Sequence, residues 1–309
     1  MAEAIEAAGT GRPAISGVLP VLQTPFHPDE SIDFDTLERE IDWVFSHGVD
    51  GVVVAMVSEV LRLSTPERQA LAEAVCRSVG DRGVVIVSVG AESAHTAEHL
   101  SRHAADTGAD AVMAIPPVSA AADEEELLRY FERILQSVEI PVIVQDASGY
   151  VGRPMSITLQ ARFFTEFGER VMYKPEAVPL GPRLTALREA TGPRAKIFEG
   201  SGGIALVESV RRGVDGTMPG ADLIDAVAAL WRALQAGDDE RINRISPVLS
   251  ALISLQPTLD AFLAVEKYLL VKRGVFRNAI VRGPVGYHLD EPTQGEVDRL
   301  FDRLMEVTT

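Results

Sequence analysis

The chain has 309 residues, enough for one large domain or two of ordinary size. Hydrophobic residues make up 46% and charged residues 24%, the balance of a globular protein that buries a core without staples. A formal net charge of -16 argues against nucleic acid and anionic membrane surfaces as partners, but a locally positive pocket can still take a small anion.

The first residues, MAEAIEAAGTGRPA, have neither the basic nor the apolar region of a secretory signal, and residues 1–14 read as a loose tail. No run of eighteen apolar residues marks a membrane span. The single cysteine, Cys76, rules out a disulfide within the chain and fits a reducing, cytoplasmic setting. Of 29 basic residues, only Lys174, Lys196, Lys267 and Lys272 are lysines, so each one invites a reason.

From residue 18 onward, apolar runs alternate with amphipathic ones. Strands are expected over 18–23 (VLPVLQ), 51–56, 84–89, 111–115, 141–145, 171–174, 197–199 and 216–218. Helices are expected between them over 34–46, 66–78, 94–107, 124–137, 157–167, 183–191 and 205–212, with another from Ala221. The strands are near-continuous Val/Ile runs, as when both faces of a parallel sheet are covered. Thr65-Pro66 puts proline at a first helical position. The segments 48–50, 108–110 and 213–215 (GVD, GAD, GVD) close helices and lead into strands. Eight β/α units of this kind predict a (β/α)8 TIM barrel, an α/β fold, over residues 15–225. An open doubly wound sheet is the runner-up, and it lacks a GxGxxG after the first strand. No strand pattern returns after Ala226. Helices over 225–236, 239–254, 259–273 and 294–307 predict a C-terminal helical domain over 226–309.

Barrel catalysis uses the C-terminal ends of strands. Those ends carry Thr24, Ser58 and Glu59, Gly90, Pro116, Gln145 and Asp146, Lys174 and Glu176, Glu199–Gly203, and Thr217–Gly220. Lys174 ends an apolar strand. Desolvation in a barrel mouth lowers a lysine pKa, and a neutral amine attacks a ketone to form a Schiff base. The plain alternative is a lysine that reaches solvent or pairs with Glu176. Glu176 shares the inward face with Lys174 if the strand continues through Pro175, and would then serve as general acid or base. Glu199 and Glu59 are further acid/base candidates, each with a structural alternative. Gly200, Ser201, Gly202 and Gly203 precede a helix and offer backbone N–H groups to an anion, although tight turns also use glycine.

Residues 20–26 (PVLQTPF), 48–54, 63–67 (LSTPE), 109–117 (ADAVMAIPP), 140–152 and Tyr173-Lys174 give the chain its likeness to a known family. It resembles the dihydrodipicolinate synthase / N-acetylneuraminate lyase family of class I aldolases and dehydratases. The resemblance implies a barrel with a C-terminal helical domain, a homo-oligomer (tetramer or dimer), and a Schiff-base lysine at Lys174. It also implies a site role for Thr24.

The departures from the family are specific. Its Gly-Thr-Thr-Gly-Glu carboxylate loop is Ala55-Met56-Val57-Ser58-Glu59, which keeps Glu59 and offers the Ser58 hydroxyl. Gln145 stands where the family has its proton-shuttling tyrosine, and the paired tyrosines after the fourth strand are Val118 and Ser119. Tyr150 stands at the arginine that recognises aspartate semialdehyde, so dihydrodipicolinate synthesis is disfavoured.

The expectation is a lyase acting on a small 2-oxo acid such as a 2-keto-3-deoxy sugar acid. Lys174 is the nucleophile, Glu176 the acid/base group and Gln145 an orienting group. Thr24, Ser58, Glu59, Glu199, Gly200, Ser201 and Gly202 hold polar parts of the substrate. The alternatives are a non-catalytic oxo-acid-binding homologue and a phosphate-binding barrel enzyme without Schiff-base chemistry. No organic cofactor and no metal are expected. His95, His99 and His103 share one face of a helix outside the barrel, where a solvated or oligomer-facing stripe is the simpler reading.

Overall fold

A computed structural model describes residues 14–308; the tail expected over 1–14 lies almost wholly outside the described residues. Eight strands run parallel: β1 (Gly17–Val18), β2 (Gly51–Val54), β3 (Val84–Ser88), β4 (Ala111–Ala114), β5 (Val142–Asp146), β6 (Val171–Pro175), β7 (Phe198–Glu199) and β8 (Gly216–Thr217). Strands β2 to β6 pair in chain order, and β7, β8 and β1 form a second ladder. Single bridges, Tyr173 to Ile197 and Val21 to Val53, join the two ladders into a closed barrel.

Helices follow the strands in turn: α1 (Phe34–Ser46), α2 (Thr65–Val79), α3 (Ala94–Thr107), α4 (Glu124–Ser137), α5 (Ile157–Phe167), α6 (Leu180–Thr191), α7 (Leu206–Arg211) and α8 (Ile224–Ala236). Then come α9 (Asp239–Ile253), α10 (Leu259–Lys272) and α11 (Glu291–Thr308). The fold is a (β/α)8 barrel with C-terminal helices. Helix α8 completes the eighth unit and spans the boundary at residue 225 read from the sequence.

Local chemistry sets the helix starts. The side chains of Asp33, Ser93, Asp123, Ser156 and Thr258 each accept the backbone N–H of the residue three positions on. Ser64 and Glu67 form a capping box around Pro66. Met113, Ile143, Met172, Phe198 and Met218 help fill the barrel interior, while a larger core lies between strands and helices.

The three Gly-x-Asp segments share a further job. Asp50 Oδ2 accepts Val18 N at 2.8 Å, Asp110 Oδ2 accepts Val85 N at 2.8 Å, and Asp215 Oδ2 accepts Ile197 N at 2.9 Å. Each aspartate ties its loop to a neighbouring strand at the barrel base. Gly17 (φ 85°) passes so close to Asp50 that a Cβ there would lie 2.0 Å from Oδ2.

Strand β1 is shorter than the expected 18–23. Pro20 has no N–H to give, so the regular ladder stops before it. The chain still follows the barrel, with Val21 N on Pro219 O at 2.7 Å and Leu22 N on Val53 O at 2.9 Å. Past β2, residues Met56–Ser58 turn into a short 3₁₀ segment instead of continuing the strand.

Candidate active site

The strand ends surround a small cavity that is partly open to solvent. Residues Gln145 and Lys174 are register partners on β5 and β6, so both side chains leave the wall at one level. The ladder carries on past Pro175, with Glu176 N donating to Asp146 O at 2.9 Å. Glu176 therefore points the same way as Lys174. Lys174 Nζ lies 3.2 Å from Glu176 Oε1, and Gln145 Nε2 donates to Glu176 Oε2 at 2.6 Å. The Lys174 and Glu176 side chains are 5% and 3% exposed, a dry setting in which a charge pair interacts strongly. Burial pushes the Glu176 carboxyl above the usual carboxylate range, while the Lys174 ammonium and the Gln145 amide pull it back. Gln145 lines the cavity, and its Oε1 is buried without a hydrogen-bond partner among the described residues.

Gly200 makes this arrangement possible. A Cβ there would lie 2.6 Å from Lys174 Cε and 2.8 Å from Glu176 Oε1. Gly202 lines the same cavity.

The other polar residues read from the strand ends are buried just outside the lining. Thr24 Oγ1 donates to Ser58 O at 2.6 Å, and Ser58 Oγ accepts Ala55 N at 3.0 Å. The Thr24 bond, with the one that the Ser58 hydroxyl donates to Leu22 O, ties the loops after β1 and β2 together. Glu59 forms a fully buried ion pair with Lys267 of α10 and accepts Arg282 N at 3.0 Å. Glu199 accepts Ser201 N at 2.6 Å and Thr217 Oγ1 at 2.7 Å, and the Ser201 hydroxyl also donates to it. A carboxylate of the protein thus occupies donors of the Gly200–Gly203 loop.

Sequence reading missed one carboxyl in the cavity. Glu266 of α10 lines it together with Lys174 and Glu176, and is 2% exposed. Gln23 Nε2 donates to its Oε2. Burial raises its carboxyl well above the usual range, and the neighbouring Asp222 and Glu40 add to the rise, against the pull of Lys174 and Gln23. Glu40 is itself raised by burial, and Asp222 is pushed up to about 7, with Arg273 opposing. The available signal was the helix sequence LDAFLAVEKYLLVK, apolar on nearly all sides around an adjacent Glu and Lys. The upper wall is apolar, with Met56, Val57, Leu259, Phe262 and the ring of Tyr150. Tyr150 packs edge-on to Phe262 at 5.5 Å, and burial among acidic neighbours keeps its phenol protonated.

The remaining lysines have structural partners: Lys196 on Ile15 O at 3.0 Å, and Lys272 on Asp298 at 2.7 Å. His99 and His103 face α2, near Gln69 (3.3 Å) and Glu73 (3.0 Å). Among the described residues there is no cluster of three or more His, Cys, Asp or Glu able to hold a metal ion, and no helix long and apolar enough to cross a membrane.

Known proteins resemble the chain along most of its length. It is 28% identical to a DapA-like lyase of Pyrococcus abyssi over 274 residues, 87% of this chain and 92% of that one. It is 30% identical to a 4-hydroxy-tetrahydrodipicolinate synthase of Ralstonia nicotianae, covering 75% and 79%. It is 27% identical to an L-2-keto-3-deoxyarabonate dehydratase of Azospirillum brasilense, covering 73% and 74%. The crystal structure of dihydrodipicolinate synthase from Rhodopseudomonas palustris superposes with a TM-score of 0.85 at 28% identity, over 94% of this chain and 97% of that one. Residues 14–303 match the dihydrodipicolinate synthetase family, and the chain belongs to it.

Proposed function

We propose that the protein is a lyase, an aldolase or a dehydratase, that forms a Schiff base on Lys174 with a small 2-oxo acid such as a 2-keto-3-deoxy sugar acid. The observation that carries this reading is the buried Lys174 amine, 3.2 Å from a carboxyl, in a cavity at the C-terminal end of the barrel. Family membership supports the lyase class, and the dehydratase relative supports a sugar-acid substrate.

In this reading Lys174 attacks the 2-oxo carbon, and the iminium draws electrons from C3. Glu176 moves the C3 proton, and Gln145 holds Glu176 and offers its free Oε1 to a substrate hydroxyl or N–H. Gly200 and Gly202 leave room for the bound acid. Thr24, Ser58, Glu59, Glu199 and Ser201 act by fixing the loops. The lining has one cation and no arginine, which favours a substrate with an uncharged distal end. It also weighs against a phosphate-binding enzyme, as does Glu199 on the Ser201 donors. A homo-oligomer, dimer or tetramer, is part of the proposal, and light scattering after gel filtration measures it.

Borohydride trapping with pyruvate and a panel of 2-oxo sugar acids, read by intact mass and peptide mapping, tests the chemistry. A ligand-dependent adduct on Lys174 with turnover of the best-trapped acid is expected. An adduct without turnover of any acid makes the protein a binder. No adduct with any acid overturns the reading.

A further inference from the structure

Helix α10 brings a second carboxyl to the cavity from outside the barrel, and its surroundings differ from those of Glu176. Glu176 sits against a cation. The titratable groups around Glu266 are Asp222 after β8, Glu40 on α1, Tyr150 after β5 and Lys174 on β6. Glu40 Oε1 accepts Gln23 N at 2.9 Å, but Glu40 Oε2 and Asp222 Oδ2 have no hydrogen-bond partner among the described residues. Lys267 pulls against the rise at Glu40 and Arg273 against that at Asp222, but burial outweighs both, and like charges in a dry interior repel, so full ionisation of the three buried carboxyls is disfavoured. Protons are therefore held in this cluster at the cavity wall. Glu266 Oε1 accepts no hydrogen bond among the described residues, and it lies where a Cβ at position 220 would be only 2.3 Å away. Gly220 thus makes room for Glu266 as Gly200 does for Lys174.

We propose that Glu266 is the proton donor to the leaving hydroxyl of the substrate, and that the reaction is loss of water from a 2-keto-3-deoxy acid. The proposal rests on Schiff-base formation at Lys174. Glu176 takes the C3 proton of the iminium, and that C–H electron pair becomes the C2–C3 double bond of an enamine. The C2–C3 double-bond pair then moves to form the C3–C4 double bond, and the nitrogen lone pair restores the C2–N iminium as the C4–O bond breaks. The departing oxygen takes the proton of Glu266 and leaves as water. Hydrolysis of the iminium releases the unsaturated 2-oxo acid and frees Lys174. The proton gained by Glu176 and that lost by Glu266 balance through solvent.

Two carboxyls whose surroundings separate their proton affinities can be base and acid in one cavity. Aldol cleavage makes the opposite demand: the group near the C4 hydroxyl must remove a proton. Gln145 carries no acidic proton, and the Tyr150 phenol is a far weaker acid than a carboxyl.

The test compares wild type with Glu266→Gln and Glu266→Asp, using 2-keto-3-deoxyarabonate and 2-keto-3-deoxygluconate as probes. Proton NMR of wild-type product reads water loss against release of pyruvate and an aldehyde, and needs no variant. Borohydride trapping and C3 deuterium exchange in D2O report whether the Glu266→Gln site is folded and still does the early steps. Dehydrated product is expected from wild type. Glu266→Gln should keep the adduct and C3 exchange while turnover falls about 10²–10⁴-fold, with partial recovery in Glu266→Asp. Pyruvate as wild-type product, or wild-type turnover in Glu266→Gln, overturns the proposal and leaves the Schiff base standing. Absence of any Lys174 adduct in wild type overturns the Schiff base itself, and this proposal with it.

Discussion

Glu266 and Lys267 are consecutive on α10, and both are buried against the barrel mouth in different company. Glu266 meets the cavity and a carboxyl cluster, while Lys267 pairs with Glu59 from the loop after β2. The Lys267 ammonium also lies 4.5 Å from the Phe26 ring centroid and donates to Ile280 O at 2.6 Å. One turn of helix thus pins the C-terminal helices to the barrel and completes the cavity wall.

That pinning predicts an asymmetry in stability. Glu59→Gln removes the ion-pair partner of the buried Lys267 and leaves only the more distant Glu40 carboxyl, Ile280 O and the Phe26 ring to oppose the cost, so it should lower unfolding free energy by about 3 kcal/mol. Replacing both partners, as Glu59→Gln with Lys267→Met, removes the buried charge and should cost less than the single change. Urea midpoints of the two variants check this. A double variant weaker than Glu59→Gln would show that packing of the lysine stem, not its charge, dominates.

Gln145 should act through Glu176. Its amide favours the charged carboxylate, so Gln145→Leu should raise the Glu176 pKa further. The base then becomes available only at higher pH. The acidic limb of kcat/KM should move upward, while adduct formation at high pH persists. An unmoved limb would separate Gln145 from the base.

The barrel was legible because strand and helix periods alternate cleanly and the strands are apolar on both faces. Lys174 was legible as a rare lysine closing such a strand. Glu266 was not, because nothing local says which cavity a helix 92 positions later will meet; only docking of α10 decides it. Thr24 and Ser58 looked like ligand-binding hydroxyls for the same reason in reverse. Their chain positions are at the mouth, but Thr24 Oγ1 donates to Ser58 O and the Ser58 hydroxyl to Leu22 O, each on the facing loop.

Space around Lys174 is a second target. In Gly200→Ala the new methyl must displace Lys174 Cε and the Glu176 side chain, both packed in the wall. Adduct formation with pyruvate should fall at least about tenfold, the cost of misplacing a reacting group by roughly 1 Å. Melting temperature should change little if the fold tolerates the shift. An unimpaired adduct rate would mean the lysine has room that the geometry does not reveal.

Asp222 links the carboxyl cluster to pH. Its pKa is raised from the ordinary 3.8 to about 7 in the folded protein, chiefly by burial. A raised carboxyl pKa means the folded state holds a proton that the unfolded chain gives up. Its contribution is therefore complete below about pH 4 and is lost as pH rises towards 7. The loss is on the order of 4 kcal/mol at most, by the usual 1.36 kcal/mol per pH unit. Asp222→Asn keeps the shape and cannot ionise, so its stability relative to wild type should increase between pH 4 and 7 and then level off. Thermal melts of both proteins across that range measure the difference. A constant difference would mean that Asp222 titrates alike in both states, and would remove one source of the proton reserve beside Glu266.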